Sequence, residues 1–142
     1  MLKGIPPIIS PDLMQVLMEM GHGDELLLCD GNYPKFGCPS RCIRMDGHGI
    51  PEILDAVLRF MPLDSYTEHP AVLMAVLPDD PYQPVIWPEY EKIGRKYEED
   101  GLRSVMVQKP EFYARGREAY ACIATSEKAL YANIILRKGV VK

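Results

Sequence analysis

His22 stands between two glycines in Met20-Gly21-His22-Gly23-Asp24-Glu25, and Asp30 ends the apolar run Leu26-Leu27-Leu28-Cys29 and opens the turn Asp30-Gly31-Asn32-Tyr33-Pro34. An imidazole, with an unperturbed pKa of about 6.5, takes up and returns protons near neutral pH, and a carboxylate accepts hydrogen bonds from hydroxyls. Gly21 stands where a helix C-terminal residue in the left-handed conformation is wanted, and with Gly23 it keeps neighbouring side chains away from the ring. Asp30 falls at the C-terminal edge of a buried strand, where crevices in open α/β sheets lie. The pair flanks one short strand and is a candidate site for proton transfer. The same residues also fit a locally bonded loop histidine and a turn-forming aspartate.

The cysteines offer a second chemistry. Cys38 and Cys42, with His48 beyond, suggest a zinc loop, but the spacing is not the paired close-knuckle pattern and no fourth ligand is evident. Cys29 and Cys122 sit inside apolar runs and read as small core residues. The expectation is no metal and no cofactor; an ion held by His22, Asp24 and Asp30 is a weaker alternative.

These residues must be positioned by regular elements. Ser10-Pro11-Asp12 is a helix start, with Ser as N-cap, Pro at the first helical position and Asp where the macrodipole favours an anion. Leu13, Val16, Leu17 and Met20 continue it as one apolar stripe ending at Gly21. Leu26 to Cys29 is a strand whose unbroken apolarity predicts cover on both faces. Arg41 to Met45 is a second, half-exposed strand, and Ile50 to Leu58 a helix bracketed by Pro51 and Pro62. Ala71 to Leu77 is a buried strand, Pro78 to Pro84 a surface loop, and Ile86 to Tyr97 an amphipathic helix with a charged outer face. Leu102 to Val107 is strand-like, Pro110 to Glu118 a short helix, Tyr120 to Ala124 strand-like, and Tyr131 to Leu136 an apolar strand with a polar head. Strands and helices alternate throughout, so the class is α/β with a mostly buried sheet, in a single domain spanning residues 1–142.

Composition narrows the function. With a formal net charge of -4 and no dense Lys/Arg run, the chain lacks the basic face that a phosphate backbone requires, so nucleic acid is not an expected partner. The longest uncharged apolar stretch, around Ala71 to Pro78, is too short to span a bilayer, and Pro6, Pro7 and Pro11 interrupt any signal-peptide pattern. A cytoplasmic protein is expected.

Several segments in one order carry a resemblance: Gly-His-Gly-Asp-Glu, Asp30, Leu63-Asp64-Ser65-Tyr66, Glu111-Phe112-Tyr113-Ala114-Arg115, and Tyr131-Ala132-Asn133 through Lys138-Gly139. From about Leu2 to Val140 the chain resembles the L-fucose mutarotases, of the superfamily shared with D-ribose pyranase. The resemblance implies a three-layer α/β/α subunit, a homo-oligomer that is often a decameric ring, and a site completed between neighbouring subunits. It implies His22 as the catalytic proton donor, with Asp30 and the Tyr131-Ala132-Asn133 head binding a monosaccharide. Lys109 stands where the fucose enzymes carry a sugar-binding arginine, and the Tyr-Ala-Asn head departs from their usual Tyr-Gly-Asn. Lysine cannot reproduce the planar fork of arginine.

Mutarotation suits these residues. Opening a cyclic sugar and reclosing it on the other face moves one proton off the anomeric hydroxyl and another onto the ring oxygen, without redox cofactor or metal. Two alternatives stay open at this level: a non-catalytic monosaccharide-binding or regulatory protein on the same fold, and a mutarotase or pyranase acting on ribose or galactose.

Overall fold

A computed structural model describes residues 1–142. Helix α1 (Pro11–Glu19) begins as its residues dictate: the Ser10 hydroxyl accepts the Leu13 amide at 3.2 Å, Pro11 follows, and Leu13, Val16 and Leu17 are buried. Its end differs from the expectation. Met20 caps the helix in an extended conformation, and the left-handed residue is Gly23 (φ 89°), not Gly21. The chain therefore leaves α1 in an extended step and turns two residues later, lifting His22 out on a short bridge.

Six strands form one sheet: β1 (Glu25–Cys29), β2 (Cys42–Met45), β3 (Ala71–Met74), β4 (Ser104–Val107), β5 (Ala121–Thr125) and β6 (Ile134–Arg137). Their order is β2-β5-β1-β6-β3-β4, and β6 runs antiparallel to both neighbours while the other pairs are parallel. Helices α1, α2 (Ile50–Leu58) and α3 (Ile86–Tyr97) cover one face, meeting Leu26, Leu28, Ile134 and Leu136. Helix α4 (Lys109–Arg117) and a 3₁₀ turn at Lys35–Gly37 cover the other, with Phe112 among Leu27, Cys29, Val72 and Ile135. The result is the three-layer α/β/α arrangement, with β4 a half-exposed edge. Because Leu26 and Leu27 point to opposite faces and both are fully buried, a one-residue slip would exchange two packed layers at once; each such leucine contributes about 2 kcal/mol.

Element ends differ from the sequence reading by a residue or two, as at β4, which begins at Ser104 and not Leu102, and two departures bear on the cleft. Strand β3 stops at Met74: the Ala75 amide makes a last bond to the Val107 carbonyl, and Leu77, 45% exposed, belongs to the loop. The head Tyr131-Ala132-Asn133 precedes β6 as a turn, with Tyr131 at φ 56°. That left-handed value costs a non-glycine residue about 1 kcal/mol, so the surroundings must hold it there.

Candidate active site

The antiparallel β6 brings its first residues to the C-terminal ends of β1 and β3, and Asp30 meets Asn133 there. The Asp30 amide donates to Asn133 Oδ1 at 2.7 Å, and Asn133 Nδ2 donates back to Asp30 Oδ2 at 3.0 Å. The other carboxylate oxygen takes the Asn32 amide at 2.9 Å. Burial pushes the Asp30 carboxyl above its ordinary value and the Glu127 charge adds to this, against the pull of the Asn32, Asn133 and Tyr33 hydrogen bonds.

Tyr131 is fixed at both ends. Its carbonyl accepts the Trp87 indole N–H at 2.8 Å, and its hydroxyl donates to Asp80 Oδ2 at 2.6 Å and accepts the Leu77 amide at 3.4 Å. Tyr82 stacks on its ring at 6.1 Å between centroids. These contacts hold the strained backbone of Tyr131. Asp30, Asn32, Tyr33, Lys109, Tyr113, Tyr131 and Asn133 line one cleft of about 250 Å³. Lys109 opens α4 at its rim, its ammonium 5.7 Å from the centre of the Tyr113 ring. Ala132 is fully buried and presents no side chain to the cleft; its carbonyl takes the Tyr90 hydroxyl at 2.7 Å. Of the basic residues further along α4, Arg115 points away and pairs with Glu25 at 2.6 Å.

His22 lies elsewhere. It precedes β1 while Asp30 follows it, so the strand's length, about 13 Å over four steps, separates them. Within one chain the two therefore do not adjoin: they stand at opposite ends of β1. The proposed ion site falls, since the Asp24 carboxylate takes the Gly21 amide at 2.7 Å and Asp30 is at the far edge. His48 does not join Cys38 and Cys42 either, because its Nδ1 lies 3.1 Å from Glu52.

The partner of His22 is Asp64. His22 Nε2 is 3.1 Å from Asp64 Oδ1, which also takes the Tyr66 amide at 2.9 Å, and Arg137 Nε donates to Oδ2 at 3.0 Å. Asp64 is 2% exposed and His22 44%. Burial raises the carboxyl, but the Tyr66, His22 and Arg137 hydrogen bonds outweigh it and hold Asp64 below the ordinary carboxylate range. An ionised Asp64 only accepts, so Nε2 carries the proton and the lone pair of the neutral ring is on Nδ1, turned away from the carboxylate. Gly23 permits the arrangement: its N–H bonds the Lys138 carbonyl at 2.9 Å, and a Cβ there would stand 3.2 Å from Arg137 Nη2. Arg137 ends β6, so one strand supplies Asn133 to Asp30 and Arg137 to Asp64.

The RbsD / FucU transport protein family matches residues 3–141. The chain belongs to that family. Among its relatives, the human fucose mutarotase is 46% identical over 99% of this chain and 94% of its own length. The L-fucose mutarotase of Actinobacillus pleuropneumoniae is 41% identical over 99% of this chain and 97% of its own. The crystal structure of the Streptococcus pneumoniae fucose mutarotase in complex with L-fucose superimposes with a TM-score of 0.93 at 48% identity, covering 99% of this chain and 100% of that one. Asp64 lies in one of the segments that carry the family resemblance, yet no spacing rule pairs it with His22. The two are 42 residues apart and meet where the Leu63 and Asp64 backbone pairs with Arg137 and Lys138 at the end of β6.

Proposed function

We propose that the protein is a mutarotase that interconverts the α and β anomers of L-fucose by acid/base ring opening. The Asp30–Asn133 pair carries the reading: a carboxylate and an amide locked to each other at a strand end, in a cleft walled by Tyr33, Tyr113 and Tyr131. Such a pair offers acceptors and a donor to sugar hydroxyls, and the rings offer a face to C–H surface. Lys109 reaches the same cleft as a point charge.

The proton carrier comes from a second copy. His22 of one subunit enters the Asp30 cleft of its neighbour, where Nδ1 takes the anomeric proton and the imidazolium, held by Asp64, returns one to the ring oxygen. Two observations support assembly in trans. His22 and Asp30 are at opposite edges of one subunit, and each edge exposes an aromatic ring: Tyr66, 72% exposed, lies 5.4 Å from the His22 ring, and Phe36, 62% exposed, lies 5.2 Å from Tyr113 at the cleft. Exposed rings at both half-sites are what a homo-oligomer would cover, and a closed ring is one such assembly. The reaction belongs in the cytoplasm, where the four free cysteines stay reduced. No helix is long and apolar enough to cross a membrane.

Saturation-transfer NMR across fucose, galactose and ribose tests the activity, because it reads anomer exchange at equilibrium. Fucose exchanging no faster than in buffer would replace the enzyme with a sugar-binding protein. For the trans site, His22→Ala and Asp30→Ala subunits are unfolded and refolded together. Each alone is inactive, and random mixing restores about a quarter of the sites if neighbours share them. No recovery in a co-assembled mixture would overturn the site shared between neighbours.

A further inference from the structure

The four cysteines, scattered along the chain, converge on one point of the sheet. Strand register sets Cys42 opposite Cys122, and Cys29 lies on the same face of neighbouring β1. Cys38, just after the 3₁₀ turn, closes over them, and the Sγ atoms of Cys29, Cys38 and Cys122 all lie within 4.8 Å of one another. Cys42 lies outside this group of three but stands opposite Cys122 in the parallel register. Thiolates bound at about 2.3 Å around one tetrahedral ion stand roughly 3.8 Å apart, so the cluster is about 1 Å from a ligand shell. We propose that Cys29, Cys38 and Cys122 form a binding site for a soft, thiophilic cation, Zn(II), with Cys42 available as the fourth ligand.

The surroundings leave room for that role, although Cys29 and Cys38 already donate to the Ile123 and Pro34 carbonyls. Cys29 and Cys122 are buried and pre-placed by the sheet, whereas Cys38 and Cys42 are half-buried and give an entry route. Lys35 and Arg44 are the cations facing Cys42, and they offset the charge that thiolates would bring. Tyr33 packs against the cluster, and its hydroxyl donates to the Gly37 carbonyl at 3.1 Å. Each thiol ligand must release a proton on binding, which makes affinity rise with pH. The site is separate from His22 and Asp64, but Tyr33 packs on the same sheet face as the thiols and also lines the Asp30 cleft. A bound ion would pin the Asn32–Cys38 segment to the sheet.

The test is a Co(II) titration of the full, reduced protein. About one equivalent is expected to bind with an intense near-ultraviolet thiolate-to-cobalt band and tetrahedral visible absorption, to be displaced by Zn(II), and to release protons. Cys38→Ser abolishes the band, while Cys42→Ser, at the fourth position, weakens binding about tenfold. A full-thiol protein that gives no charge-transfer band with excess Co(II) overturns the site. So does an unchanged band in folded Cys38→Ser. Should Cys38→Ser fail to fold, an unchanged affinity in Cys29→Ala would overturn it equally.

Discussion

Replacing Asp64 by asparagine keeps the side chain's shape and removes one acceptor. In the native protein Oδ1 serves Tyr66 N–H and His22, and Oδ2 serves Arg137 Nε–H. An amide has one oxygen and one NH₂ group. With the oxygen toward Tyr66 and His22, the NH₂ meets Arg137 donor to donor. With the oxygen toward Arg137, the NH₂ meets Tyr66 N–H, and His22 must accept at Nε2, which moves its proton to Nδ1. The first orientation loses one charge-assisted hydrogen bond, about 1–2 kcal/mol after allowance for the exposure of Arg137, and lowers Tm by roughly 3–8 °C. The second puts the wrong tautomer into the catalytic position. In both, the imidazolium loses its counter-charge, so the anomer exchange rate should fall about 10- to 100-fold by saturation-transfer NMR. The pH dependence supplies a check of sign. Asp64 is held below its ordinary value, so its stabilisation is present above the unfolded-state pKa and is lost as pH falls through the folded one. The Tm gap between wild type and Asp64→Asn should therefore close in acid. A folded variant exchanging within roughly twofold of wild type would refute the role given to Asp64.

His22→Gln or His22→Ala should lower exchange about a hundredfold or more while far-ultraviolet circular dichroism is unchanged; near-native exchange in either would remove the imidazole from the mechanism. The acid limb of the pH–rate profile should lie above the ordinary aspartate range, because Asp30 must be ionised to accept hydroxyls and its carboxyl is raised. Glu127→Gln removes one of the causes and should move that limb to lower pH, and a limb that stays put would sever Asp30 from it. Lys109→Arg should sharpen the preference for fucose over ribose by about 1–2 kcal/mol in relative exchange rates, as a fork replaces a point charge, and an unchanged ratio would place the choice elsewhere.

Local chemistry made the elements readable, and its limits are equally specific. Ser10-Pro11-Asp12 names the start of α1 because the cap, the fixed φ and the first-turn carboxylate all act within one turn. The uniform apolarity of Leu26 to Cys29 announces two covered faces because each face needs every second residue. By contrast, nothing in the residue type of Tyr131 marks a left-handed backbone, which is imposed by Trp87, Asp80 and Leu77 from elsewhere in the fold. Asp30 and Asn133 were legible as candidates, but their pairing spans 103 residues and depends on β6 running antiparallel. That His22 and Asp30 do not adjoin within one chain was legible, since a residue before a strand and a residue after it stand at opposite ends. The thiol cluster was invisible for the reason that hid Asp64, since strand order, not spacing, gathers Cys29, Cys42 and Cys122.

The antiparallel strand explains how the Asp30–Asn133 and Asp64–Arg137 pairs, at opposite ends of the sheet, are held by one element. Strand β6 sits between β1 and β3 with Ile134, Ile135 and Leu136 fully buried, so its register is held by packing on both faces. Its N-terminal approach delivers Asn133 to Asp30, and its C-terminal end delivers Arg137 to Asp64. A parallel strand in the same place would bring its first residues to the His22 edge and its last to the Asp30 edge, and neither bond could form. The direction of one four-residue strand therefore fixes both pairings at once, Asn133 with Asp30 at one end of the sheet and Arg137 with Asp64 at the other.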